Sequence, residues 1–540
     1  MLFLANLGIQ WNPAMQTSCP LTSPIMGTFR VLGLRSNLAG VEVLGHALGS
    51  AFEQIRLNAL QTLVHRGGAA EMSEILERID LCNDAELPLL ADHASLLLIP
   101  IEAGLADRNP LKRQRSLCAI AKLKIASLFY HLVQAAQTPD DSQQMVAAEL
   151  IMVLASRLGA EARAKGRANE SIREKLLSDL WQSVLQFNDH RIMHLVEAWL
   201  CASHWDDEGF KSLFSPAPGE AIYRIVSRQL RHSHRIQIIE LLAGVIWSNA
   251  PSTAAVQALG ERNERCVALQ LAELANRFGI TPMAAKNLAL KIPIPCMELL
   301  DFSDETYSIQ NRCAMLKLLA ATDSSPDNVL RGIIKLLETL DPTVDLACSN
   351  ALRGLRTLKT EIVVMVLSDC FEMPGMEPYD PPPWKSRLRS ALERLIELYP
   401  HQSEIVRSSI EFAFSDFRCE ELIKHLDDWP ESHLNAYAKM VRIAEVAYVD
   451  VIERDAKSQS AVKRRRAIHA VRFLGMENGL ADVTLDALQD KNEMVRIEAI
   501  CAVATGRSRS EAIEVLRPLT RDEDQSVITA AKIALSSLES

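Results

Sequence analysis

The stretch Asp490-Lys491-Asn492-Glu493-Met494-Val495-Arg496-Ile497-Glu498-Ala499, continuing to Ala502 and Val503, decides the fold. Val495, Ala499, Ala502 and Val503 fall at i, i+4, i+7 and i+8, which places them on one face of a helix. The pattern recurs on both sides of this stretch. Ala467, Ala499 and Ala531 are 32 residues apart, and Ala470, Ala502 and Ala534 follow at the same offset. Val471, Val503 and Leu535 come next in line, and Val527 stands one period after Val495. Ser458, Asp490 and Asp522 precede these helices and are expected as their N-caps. Between them runs a shorter apolar helix with Leu480, Val483, Ala487 and Leu488 on one face; its Leu480 and Val483 align with Ala512 and Val515.

Two helical patterns within one fixed period mark an array of helical hairpins. A single hairpin cannot cover its own apolar stripe, whereas the next hairpin in line can. Alanine at the centre of the stripe lets neighbouring backbones approach closely. The expected fold is therefore all-α, an α-α superhelix built as a right-handed helical-hairpin solenoid. Its repeat core is Val495, Ala499, Ala502, Val503, Val527, Ala531, Ala534 and Leu535.

The order Asp490, Val495-Arg496, then Ala499 resembles the second helix of HEAT repeats, in the short bacterial form seen in phycobilisome-lyase-like proteins. The likeness is clearest over residues 458–540. Ser50 to Leu63 repeats the register, with Ser50 as cap and Ile55, Arg56, Ala59 and Leu63 behind it. A third copy runs from Asp341-Pro342-Thr343-Val344 to Ala351, Leu352 and Leu355. The resemblance implies an armadillo-like helical scaffold. It leaves open an enzyme or enzyme subunit on the same scaffold, lyase-like or glycosylase-like, and a nucleic-acid-associated relative.

The rest of the chain reads as one helix after another. Examples are Lys112–Gln137, Gln143–Leu158, Ile172–Phe187, Ile192–Ser203, Ile236–Ser248, Arg262–Phe278, Ile309–Ala321 and Val329–Leu340. No alternating run is long enough for a sheet. Residues 1–37 read as a partly irregular lead-in, and it stays open whether 1–25 belong to the mature chain. Residues 38–372 read as a degenerate helical-repeat solenoid and 385–540 as HEAT-like repeats. Between them Met373 to Trp384, with Pro374, Pro378 and Pro381-Pro382-Pro383, reads as a proline-rich loop or joint.

The chain carries 58 basic and 68 acidic side chains, a formal charge of −10. That balance repels phosphate backbones, so nucleic acid is not the expected partner. The 11 cysteines show no CxxC pair and several sit in apolar helical runs, among them Cys118, Cys313, Cys348 and Cys501. This points to a reducing, cytoplasmic setting rather than a disulfide framework. Leu87 to Leu105 is the most apolar stretch, but Asp92, His93, Pro100 and Glu102 interrupt it, so no membrane span is expected.

Candidate sites are few. His190 and His194 lie four apart on an expected helix and, with His204, could hold a metal ion. The plain reading is partly exposed histidines, and no His-Glu dipeptide occurs. Lys112, Arg113 and Arg115, and Lys463, Arg464, Arg465 and Arg466, are the densest basic runs and the partner-binding candidates. Such runs also serve as solvated helix faces paired with acids in the next repeat. Trp199 and Trp205 bracket Cys201 and His204 and could anchor a partner, or pack between helices. No Walker loop, GxGxxG, GxSxG or HExxH occurs. The expected role is a scaffold or adaptor that binds a protein partner through a concave or edge surface, with no catalytic residue and no cofactor.

Overall fold

The computed structural model describes residues 23–34, 39–138, 143–164, 169–213, 220–262, 264–288, 307–321, 326–339, 341–355, 358–368, 383–477 and 479–539. Among these residues every regular element is a helix, as the 3.6-residue periodicity requires. The chain divides into two compact units, Met1–Glu261 and Arg262–Ser540.

In the first unit, helices Pro110–Lys122 (α1), Gln144–Arg163 (α2), Met193–Ala202 (α3) and Ile236–Gly244 (α4) pack side by side in chain order. Phe129–Gln137 and Glu170–Leu185 form a second layer against α2 and α3. In the second unit the same ladder runs longer. Arg265–Phe278 (α5), Ile309–Ala321 (α6), Asp345–Gly354 (α7), Glu404–Ala413 (α8), Glu431–Ala444 (α9), Ala461–Leu474 (α10), Glu493–Gly506 (α11) and Gln525–Glu539 (α12) each pack on the next. Shorter helices such as Tyr448–Ala456 and Leu480–Ala487 make its second layer.

The alanine column explains the close stacking of α10, α11 and α12. Ala467, Ala499 and Ala531 are wholly buried, as are Val495, Ala502, Val503 and Val527. All of these but Ala467 join Ile468, Ile500, Ala512, Leu516 and Leu535 in one apolar cluster. Ala534 is the exception in the column: it is half-buried, at the edge of the cluster.

Several sequence boundaries shift. Ser458, Asp490 and Asp522 do not cap the helices. Each accepts a backbone N–H two residues on, at Ser460, Asn492 and Asp524, and so closes a turn ahead of the true helix start. Asn492 then caps α11 through the Met494 amide. Ser50 behaves alike, accepting from Phe52, which precedes Glu53–Arg66. The segment 112–137 is two helices rather than one. Lys124 sits at φ 53°, and the chain turns there before Phe129–Gln137 begins. The apolar stretch 87–105 forms two helices that meet at His93, Leu87–Asp92 and Ala94–Leu105.

In the lead-in, Ser23–Leu32 is helical, and the carbonyls of Leu32 and Leu34 accept from the buried Arg66 guanidinium. Residues 1–22 and 373–382 lie outside the described residues. Pro383 and Trp384 belong to no loop: they open the helix Pro383–Leu398, where a proline lacking N–H costs nothing.

Candidate interaction surface

The two basic runs divide between structure and surface. In the second run, Arg464 is buried, and its Nε and Nη2 donate to the Asp490 carboxylate at 2.6 and 2.8 Å. Its Nη1 donates to the Ser458 carbonyl at 2.9 Å. One period later Arg496 does the same with Asp522, at 3.0 and 2.7 Å, and with the Asp490 carbonyl at 2.8 Å. Arg56 repeats the motif with Glu86 and the Ser50 carbonyl. Each guanidinium thus clasps its own turn and reaches the acid opening the next hairpin. For Arg464 and Arg496 these are two-pronged charge-assisted bonds that fix hairpin spacing, and Arg56 makes the single-bond version through its Nε.

The aspartates respond to the clasp. Burial pushes the Asp490 carboxyl up, but Arg464 and the Asn492 amide more than offset this and hold it below the usual carboxylate range. At Asp522 burial again raises, and the Asp524 amide and Arg496 outweigh it. A carboxyl depressed in the fold stabilises above its unfolded value of about 3.9, and that stability is lost as pH falls through the folded value. Asp490→Asn and Asp522→Asn should therefore lower the urea midpoint at pH 7. The gap to wild type should close below about pH 4. A gap unchanged down to pH 3 would exclude this role.

Arg465 and Arg466 both approach Asp427, Arg465 at 3.6 Å. Lys463 is exposed. In the first run Arg113 donates to the Asp107 and Arg108 carbonyls, closing its own turn. Lys112 pairs with Asp107 at 3.3 Å and Arg115 with Asp80 at 3.5 Å. Lys112 and Arg115 border a hollow of about 130 Å³ with Ser73, Glu77, Pro100 and Gly104. The two runs belong to different units, and each is a local feature of its own.

The histidines do not assemble. Arg191 adopts φ 54°, which ends one short helix at His190 and starts α3 at Met193. His190 and His194 are therefore on different helices. Both His190 ring nitrogens are engaged: Nε2 with the Ser183 carbonyl at 2.9 Å, Nδ1 with the Ile192 amide at 3.0 Å. His204 is buried, accepts from the Asp206 amide and lies against Trp205 at 4.1 Å. No group of three metal-ligating side chains occurs among the described residues.

Trp199 and Trp205 are buried packing residues, and Trp205 fills the space left by Gly244. The described cysteines are free, and burial pushes the thiols of Cys82, Cys118 and Cys201 up to about 11. Such thiols are poor nucleophiles at neutral pH.

The ladder helices share a feature that the basic runs conceal. Leu111, Met145, Leu346, Ile405, Val462 and Met494 are each the second residue of a ladder helix, and each is 45–66% exposed. Periodicity alone misses them, because a first-turn residue lies at the end of the apolar stripe rather than on it. A second feature is the charge on α9 and α10. Lys439 and Arg442 on α9 share a half-exposed stripe with Asn435, and Arg465, His469 and Arg472 share one on α10. These cations are scattered singly, so a search for basic runs passes over them.

No family model matches the chain. No curated protein matches it either. Among solved structures the chain is similar to a model of the full-length AP-3 complex, at 12% identity and TM-score 0.30, covering 95% of this chain and 94% of that one. It is similar to Kap121p at 12% identity and TM-score 0.30, covering 94% and 53%. It is similar to She4p at 12% identity and TM-score 0.26, covering 95% and 73%. At these scores the architecture rests on the helix packing itself. No described helix is long and apolar enough to cross a membrane.

Proposed function

We propose that the chain is a scaffold that holds a protein partner along the open side of its helix ladder. The observation that carries this reading is the repeated exposed apolar residue in the first turn of six ladder helices. Scattered exposed apolar residues are ordinary, but recurrence at one helical position on neighbouring helices, α1 and α2 in the first unit and α7, α8, α10 and α11 in the second, offers a docking edge within each unit. In the second unit α9, α10 and α11 also bury one side and leave half-exposed residues on the other, so this part of the layer offers an extended surface rather than one cleft. The HEAT resemblance of the last hairpins supports the same role.

The test is native affinity purification of the full chain followed by hydrogen exchange on any stoichiometric complex. Protection concentrated on the first turns of α1, α2, α7, α8, α10 and α11 is the expected result. Repeated recovery of the bare chain, or protection confined to the second layer, would sink it.

A further inference from the structure

We infer that the open side of α9 and α10 is a receptor for a short acidic segment of a protein partner. This deepens the scaffold reading and rests on it. On α10, Val462, Arg465, Arg466, His469 and Arg472 occupy an arc of about 120° at 100° per residue, opposite the buried Arg464, Ala467, Ile468 and Val471. On α9, Asn435, Lys439 and Arg442 make the facing stripe. The two helices pack against each other. Arg442 reaches across: a Cβ added at Gly475, which closes α10, would lie 3.8 Å from its Nη1.

Five cations, Lys439, Arg442, Arg465, Arg466 and Arg472, therefore line one groove. Two carboxylates meet them from the neighbouring elements. Asp427, ahead of α9, takes Arg465 and Arg466. Glu498, on α11, approaches Arg472 at 3.8 Å and His469 at 3.9 Å. Burial pushes the His469 imidazole below its ordinary value, and Arg472 and Arg465 act in the same direction while Glu498 and Asp427 oppose them. The groove is thus locally positive on a chain whose formal charge is −10.

These guanidinium groups are held less completely than the clasp arginines, each by one carboxylate. The Nε atoms of Arg465, Arg466 and Arg472 are buried and have no hydrogen-bond partner. Arg464, one residue away on the buried side, has its Nε and both Nη atoms occupied. The clasp arginines are enclosed and satisfied by the fold, whereas the side chains of Arg465, Arg466 and Arg472 are about a third exposed and can offer their outer N–H groups to an incoming carboxylate. Lys463 and Arg464, the first half of the basic run, play no part in it.

The dimensions suit a peptide. Adjacent helices lie about 8–10 Å apart, and Arg465 to Arg472 spans about 10 Å along α10 at 1.5 Å per residue. Same-side residues of an extended peptide repeat every 6.5–7 Å or so, so two or three carboxylates within about five residues would reach opposite walls. Val462 at the open end, 62% exposed, offers an apolar contact beside them. A polynucleotide fits less well. The acidic chain opposes a long phosphate backbone, and Phe473, the aromatic ring beside Arg472, is buried and gives no stacking platform.

The test uses the full chain and fluorescence anisotropy with three probes at one salt concentration. These are a 12-residue peptide with an Asp/Glu core, its Asn/Gln counterpart, and a 12-nucleotide oligothymidylate. The acidic peptide should bind at least tenfold more tightly than its amide counterpart. K439Q/R442Q/R465Q/R472Q should weaken it at least tenfold, and Lys463→Gln should leave it unchanged. Glu498→Gln, which removes a competing carboxylate without removing a cation, should tighten it several-fold, so a poorly folded quadruple variant does not decide the matter. Equal affinity for acidic and amide peptides, tighter binding of the oligonucleotide, or no gain in Glu498→Gln would overturn the inference. If the acidic probe fails while a native complex still protects the ladder's first turns, the groove assignment falls and the scaffold reading stands. If the probe binds and no native complex forms, the scaffold reading falls.

Discussion

Arg163→Ala is expected to destabilise the first unit by about 3–5 kcal/mol, the cost of leaving buried polar groups without their charged partner. The Arg163 side chain is wholly buried at the C-terminal end of α2. Its Nη1 donates to the Cys201 and Ser203 carbonyls at 3.0 and 2.7 Å, and its Nε donates to Glu240 on α4 at 3.0 Å. The last carbonyls of a helix have no partner of their own, so the guanidinium serves as the cap of α3. It also ties three successive ladder helices together. Burial works against its charge, and Glu240 is the main force opposing that loss. One turn earlier, Gly159 lets the backbones meet: a Cβ there would stand 1.9 Å from the Cys201 carbonyl. Gly159→Ala should accordingly weaken the same junction by driving α2 and α3 apart. Both losses should appear in urea melts and as faster amide exchange in α2, α3 and α4. A change below about 1 kcal/mol in Arg163→Ala would show that the buried network is not holding the junction.

The contrast with the C-terminal hairpins shows what a sequence can disclose. The 32-residue spacing of Ala467, Ala499 and Ala531 is a local pattern, and the burial it implies follows from helix geometry. The Arg163 junction has no such spacing. Its partners stand 38, 40 and 77 residues away, and only the folded chain brings them together. The clasps fall between these cases. Arg464, Arg496 and Arg56 each sit six residues after Ser458, Asp490 and Ser50, which is legible. Reading the leading residue as a helix cap hid the second use of its side chain, as partner of the preceding arginine. The histidine pair failed for a different reason. One residue at positive φ, Arg191, broke the helix that would have put His190 and His194 on one face. The groove cations were illegible as a set, since Lys439 and Arg472 lie on two helices about 30 residues apart in sequence, and only the packing of α9 on α10 relates them.

Ala499→Arg is the second large effect, and it tests the stack itself. Ala499 is wholly buried at the centre of the cluster that α10, α11 and α12 share. Extra side-chain volume in a packed core costs about 1–3 kcal/mol. Burying an unpaired guanidinium adds several more, so a total above roughly 4 kcal/mol is expected. In a stack where each hairpin touches only its neighbours, that loss stays local. Amide protection should therefore vanish from about 461 to 539 while the first unit keeps its own. Loss of protection across the whole chain at once would refute the one-dimensional picture. Ala534→Arg supplies the control, because Ala534 occupies the column of Ala470 and Ala502, which are fully buried, yet is itself half-exposed. An arginine there can extend into solvent, and its cost should stay within about 1 kcal/mol, near the range for surface substitutions. The same substitution at two alanines of the one stack should thus differ severalfold in cost, because Ala499 is enclosed on every side and Ala534 is partly open.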